Sequence, residues 1–135
     1  MVKSALEIVL TRWERVSRIA TAAVVCVLTC GAQATAQSPG YAAVAVDGRG
    51  AWGASLGQST PDAAGADAVS RCGGNCRVVM TGRGRCVAFA DSSNGGYWYG
   101  HAYGDNAGTV QSIAMEGCSA GAPVGTCRIK HVNCI

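Results

Sequence analysis

The sequence predicts a single disulfide-stabilised α+β domain built from two pseudo-symmetric β-β-α-β repeats, six strands and two helices in all. Three observations carry that expectation. The same order of signals runs through residues 41–82 and again through residues 85–134. Each copy holds two strand-like runs around a Gly-rich turn, followed by a stretch of helical period. Each helix-like stretch ends in a cysteine, and each strand after it begins with one.

The first strand of copy one, Tyr41-Ala-Ala-Val-Ala-Val-Asp47, is a continuous apolar run bounded by Asp and Gly, as a buried central strand should be. It aligns with Arg85-Cys-Val-Ala-Phe-Ala-Asp91 at an offset of 44 residues. The hairpin turns follow at Gly48-Arg-Gly50 and Ser92-Ser-Asn-Gly-Gly96, and Asp47-Gly48 and Asn94-Gly95 are strong turn dipeptides. Asp47 and Asp91 thereby take equivalent turn positions, which favours an Asx-turn role over catalysis. The second strands are Trp52-Gly-Ala-Ser-Leu-Gly57 and Tyr99-Gly-His-Ala-Tyr-Gly104. The first helix has Thr60 as N-cap, Pro61 at the first helical position and Asp62 in the first turn. The second is apolar at Val110, Ile113, Ala114, Gly117 and Cys118, one face at helical spacing. The third strands open at Cys76-Arg-Val-Val79 and Cys127-Arg-Ile-Lys130, now offset by 51 residues, so copy two carries the longer loops. Two copies are too few for a solenoid, and one domain with a pseudo-twofold axis is the economical arrangement.

The repeat also orders the cysteines. Cys72 and Cys118 end equivalent helices, and Cys76 and Cys127 begin equivalent strands. Pairing Cys72 with Cys76 and Cys118 with Cys127 leaves Cys86 for Cys134. A bridge holds its two α-carbons about 5.5 Å apart. The start of one strand then lies beside the end of another, so the two are antiparallel and each copy has strand order 2-1-3. Ala42 and Arg83 stand in copy one where this cysteine pair stands in copy two. No paired C-x-x-C knuckles point to zinc, and no cofactor motif is present: Gly48-x-Gly50 precedes no helix and forms no phosphate cradle.

Composition bounds the partners. The chain has 135 residues, 49% apolar and 14% charged, enough for one domain and too apolar for disorder. Residues 37–135 carry seven basic against six acidic side chains, a net +1 without the basic footprint of nucleic-acid binding. Arg12, Arg15 and Arg18 precede an uncharged run over residues 19–32, 14 residues long where a membrane span needs about 20. Charge, short apolar core and the small residues Ala34-Thr-Ala36 form a signal-peptide pattern over residues 1–36, with Ala32-Gln-Ala34 as the competing cleavage site. Cleavage after Ala36 leaves a short linker, residues 37–40, and an exported domain, residues 41–135, with no membrane segment. It also removes Cys26 and Cys30, leaving six cysteines for an oxidising compartment.

The patterns Tyr41-Ala-Ala-Val-Ala-Val-Asp47, Ala51-Trp-Gly53, Cys72-Gly-Gly-Asn-Cys76, Cys86-Val-Ala-Phe-Ala-Asp91 and Tyr97-Trp-Tyr-Gly100, with a cysteine near the C-terminus, resemble the domain of unknown function 4189 family. The resemblance covers residues 41–135. It implies a small secreted bacterial domain and no particular activity. Cys72, Cys76, Cys86 and Cys134 match cysteines typical of that family, whereas Cys118 and Cys127 form a pair its members often lack.

Candidate chemistry is sparse. Tyr97, Tyr99, His101 and Tyr103 alternate on one face of a strand, a stripe suited to stacking a sugar or a partner's aromatic side chain. The matching face of copy one, Trp52, Ala54 and Leu56, is apolar, which favours core. His101 and His131 are the two histidines, and Lys130 and His131 alternate across the last strand. Arg49, Arg71, Arg83 and Arg85 are expected on a solvated rim. No catalytic or metal-ligating constellation stands out. The expected function is a non-catalytic binding module, secreted or in the cell envelope, whose partner is a protein or an envelope glycan. The alternatives are a small secreted hydrolase using His101 and an inhibitor or immunity protein for a secreted enzyme.

Overall fold

The computed structural model describes residues 38–135, so the predicted leader and its cleavage point lie outside the described residues. The elements are β1 (Gly40–Val46), β2 (Trp52–Gln58), α1 (Pro61–Cys72), β3 (Arg77–Gly84), β4 (Cys86–Ser92), β5 (Trp98–Gly104), α2 (Ala107–Ser119) and β6 (Arg128–Cys134). They form two three-stranded sheets of order β2-β1-β3 and β5-β4-β6, antiparallel throughout.

The layers follow from which residues each strand sends to which side. Ala42, Val44 and Val46 of β1 meet Val87 and Phe89 of β4 between the sheets. On the outer side of the first sheet, Ala43 and Ala45 pack under Ala64 and Ala68 of α1. On the outer side of the second, Ala88 and Ala90 pack under Val110, Ala114 and Cys118 of α2. The order is therefore helix, sheet, sheet, helix. β1 and β4 sit at the centre and are buried on both faces, which is why they read as uninterrupted apolar runs.

Local chemistry starts and stops the helices as their sequences require. The Thr60 hydroxyl accepts from the Ala63 amide at 3.1 Å, and the Asn106 side chain accepts from the Thr109 amide at 3.0 Å. Gly73 caps the C-terminus of α1 in the left-handed conformation, at φ 70°. Both helices cross their second strand where it carries glycine. A methyl group on Gly53 would run into the Ala68 carbonyl oxygen, and one on Gly100 into the Ala114 carbonyl oxygen. The helix backbone occupies that space instead.

Three bridges close the fold: Cys72–Cys76, Cys118–Cys127 and Cys86–Cys134. The first two join each helix end to the segment before the third strand. The last joins directly opposed residues of β4 and β6.

Four details depart from the sequence reading. The first strands match at an offset of 45 residues. Val44 and Phe89 both face the other sheet, and both lie beside the bulge in their third strand. Aligning Asp47 with Asp91 matched identical residues, but a slip of one residue exchanges the two faces of a strand, and burial fixes the face. The copy-one counterparts of Cys86 and Cys134 are thus Tyr41 and Arg83, a directly opposed pair, and Ala42 is not one of them. The counterpart of Asp47 is Ser92. Asp47 accepts from the Arg49 amide at 2.7 Å, and the Ser92 hydroxyl accepts from the Asn94 amide at 3.3 Å, two residues on in each case. Asp91 is one place earlier and closes no such turn; its carboxylate lies 3.5 Å from the Lys130 ammonium. Lys130 is the extra residue of a β-bulge, as Val79 is in β3, so the simple alternation expected between Lys130 and His131 is broken. Finally, Ile113 is 47% exposed; the buried stripe of α2 is Val110, Ala114 and Cys118.

Candidate functional site

The aromatic stripe lies on the face of β5 that looks toward the other sheet, and most of it belongs to the layer between the sheets. Tyr99 stacks on Phe89 at 6.2 Å, and Trp52 of β2 stacks on the same ring at 4.9 Å. Tyr97 and His101 flank Tyr99 at 5.9 Å and 6.1 Å. Tyr103 ends the row, 43% exposed, with its ring against the backbone of Gly82 in β3. A side chain at position 82 would displace it.

The two histidines do not meet. His101 and His131 are both register partners of Phe89, one on each side of it. Strands lie about 4.8 Å apart, which separates the histidine backbones by about 10 Å with the phenyl ring between them. Burial pushes the His101 imidazole below its ordinary pKa. Burial, followed by the charge of Arg71, does the same to His131, whose ring lies 5.7 Å from Trp52. Both therefore favour the neutral form. Burial and then the charges of Asp91 and Asp47 push the Tyr97 hydroxyl up, which keeps it protonated. The rim arginines Arg49, Arg71, Arg83 and Arg85 are exposed. Arg71 pairs with Asp67 one helical turn away. Among the described residues no three of His, Cys, Asp and Glu gather as a metal would require. Among them, too, no helix is long and apolar enough to cross a membrane.

A groove of about 550 Å³ opens elsewhere, between α1 and β3. Its helix wall is Pro61, Asp62, Gly65, Ala66 and Val69; its strand wall is Val78 and Thr81. α1 lies close on β2 at Gly53, and two of the residues it turns toward β3, Gly65 and Ala66, are small. Val78 is left 42% exposed. At the equivalent places copy two has Gln111 and Ser112, and Met115 packs against its core. The sequence reading did not single out this surface. The available signal was a pair of small residues on α1 facing an apolar residue on an uncovered strand.

The sequence pattern of the family described as "Domain of unknown function (DUF4189)" matches residues 41–134. The chain belongs to that family. No curated protein and no solved structure matches it.

Proposed function

We propose that this chain is an exported binding module that recognises another macromolecule, secreted or retained in the cell envelope after loss of its leader. The observation that carries the reading is the distribution of reactive and apolar groups. The histidines are held apart by Phe89 in neutral-favouring surroundings, whereas apolar side chains line an open groove on the surface. Exposed apolar surface beside polar residues is what a recognition site requires. Three bridges suit such a module to an oxidising compartment. A protein partner fits this groove better than a glycan, because its walls are mainly apolar, with Asp62 and Thr81 the polar members, and the tyrosines are largely committed to the layer between the sheets. An inhibitor or immunity protein for a secreted enzyme is one form of this reading.

The test compares the mature domain with His101→Ala on ester, phosphodiester and glycoside substrates, alongside retention of envelope proteins on the immobilised domain. Retention that is competed by free domain and unchanged in His101→Ala supports the reading. Turnover abolished by His101→Ala in a protein that melts normally overturns it in favour of a hydrolase.

A further inference from the structure

The groove has a second property besides its apolar walls. β3 is an edge strand: it pairs with β1 on one side, and the sheet ends there. A groove between a helix and a free strand edge is the geometry in which an extended peptide adds as one more strand. Main-chain hydrogen bonds then supply affinity, and alternate side chains enter the groove. On this surface the alternate side chains would meet Val78 and Val69 beside the small exposed Ala66, Gly65 being covered by Val78 itself.

Charge selects the occupant. Arg77 and Arg83 sit toward the two ends of β3, both exposed, and neither is in an ion pair among the described residues, although the Arg83 guanidinium rests over Tyr41. Arg85 follows directly. The acidic side chain in the groove is Asp62, in the first turn of α1. The strand edge is therefore basic at both ends and apolar between them.

We propose that the β3 edge and the α1–β3 groove capture an extended protein segment with apolar residues at alternate positions and acidic residues at its ends. The bulge at Val79 interrupts the pairing of β3 with β1, on the opposite side from the free edge. This deepens the binding-module reading and rests on it.

The experiment titrates the folded mature domain with the synthetic peptide Glu-Glu-Val-Thr-Val-Thr-Val-Glu-Glu and follows the amide resonances. A second peptide replaces the glutamates by lysine, and a third replaces the central valine by proline. The acidic peptide should shift amides of residues 77–83 and protect from hydrogen exchange those that do not already donate to β1. The lysine peptide should bind about fivefold or more weakly, the contribution of two exposed ion pairs, and the proline peptide should not protect the edge. Ala66→Phe, which fills the groove from an exposed helix position, should abolish the shifts while leaving the melting temperature unchanged. Equal binding of the acidic and lysine peptides, or shifts that ignore Ala66→Phe, would overturn the proposal. Shifts confined to another face, such as that around Tyr103, would also overturn it while leaving the broader binding reading standing. Retention of envelope proteins that survives Ala66→Phe would separate the two in the same way.

Discussion

The guanidinium of Arg83 lies over the ring of Tyr41, 5.4 Å from its centre, at the very pair of positions that Cys86 and Cys134 occupy in the other half. One half is closed there by a covalent bond and the other by a cation resting on an aromatic face. An exposed pair of this kind contributes about 0.5–1 kcal/mol, whereas a bridge spanning 48 residues contributes several times more. Replacing both Cys86 and Cys134 by alanine is expected to cost about 2–5 kcal/mol in denaturant melts. Removing Cys72 and Cys76, which are only 4 positions apart in sequence, should cost less. A less stable Cys72/Cys76 variant would show that loop-closure entropy is not the dominant contribution.

The same equivalence predicts a fourth bridge. Tyr41→Cys with Arg83→Cys places two thiols at opposed positions of neighbouring antiparallel strands. The double variant should oxidise spontaneously and gain about 3 kcal/mol of stability over its reduced form. Thiol titration and paired melts with and without reductant check both statements.

Gly53 and Gly100 should be the least replaceable glycines of the domain. Each gives its space to helix backbone, which cannot turn aside as a side chain can. Gly53→Ala and Gly100→Ala are each expected to cost about 3 kcal/mol or more through forced displacement of a helix. Gly48→Ala, where open space surrounds a backbone at φ 77°, should cost only about 1 kcal/mol. If all three variants melt alike, the close crossings are not what holds the helices.

Stability should fall on mild acidification. The folded-state values of His101 and His131 lie below the ordinary histidine value of 6.5. Between that value and the lower folded ones, the unfolded chain binds protons that the folded chain does not. Stability is therefore fullest above 6.5 and declines as pH falls through this window. Asp47 and Asp67 add a second decline at lower pH. Their carboxyls are held below 3.8, Asp47 first by the Arg49 amide and Asp67 first by Arg71. His101→Gln with His131→Gln should flatten the first decline and leave the second. A melting temperature that still drops equally between pH 7 and pH 5 in the double variant would contradict the assignment.

If residues 1–36 act as an export leader, the mature protein should begin at Gln37, after the small-residue site Ala34-Thr-Ala36, or at Thr35 by cleavage after Ala32-Gln-Ala34. N-terminal sequencing decides this, and recovery of the apolar segment 19–32 in the mature protein would contradict cleavage.

Signals that recur were legible from sequence, and those that depend on which face a residue occupies were not. Thr60, Pro61 and Asp62 announce α1 because capping is local. The cysteines announce their own pairing because the repeat orders them. The one-residue slip between Asp47 and Asp91 arose because identity of residue type outweighed alternation. The bulges at Val79 and Lys130 break that alternation without any glycine or proline to announce them. In the candidate site, the alternation of Tyr97, Tyr99, His101 and Tyr103 is legible, but whether their face meets solvent or a second sheet depends on contacts remote in sequence. The α1–β3 groove was hidden for the same reason. Gly65 and Ala66 are unremarkable on a helix until a neighbouring strand is left uncovered.

A single residue, Arg85, separates the end of β3 from the start of β4. Gly40 is paired with Gly84 just before that junction, and Cys134 with Cys86 just after it. The beginning of β1 and the end of β6 thus flank the point where the halves are joined. The path of the chain is nearly a closed ring. A rearranged gene that opens the ring at Arg85 and links the end of β6 to the start of β1 through a few glycines would encode the halves in reverse order. It should reproduce the same sheets and the same three bridges, because the order of the halves along the chain is almost irrelevant to their packing.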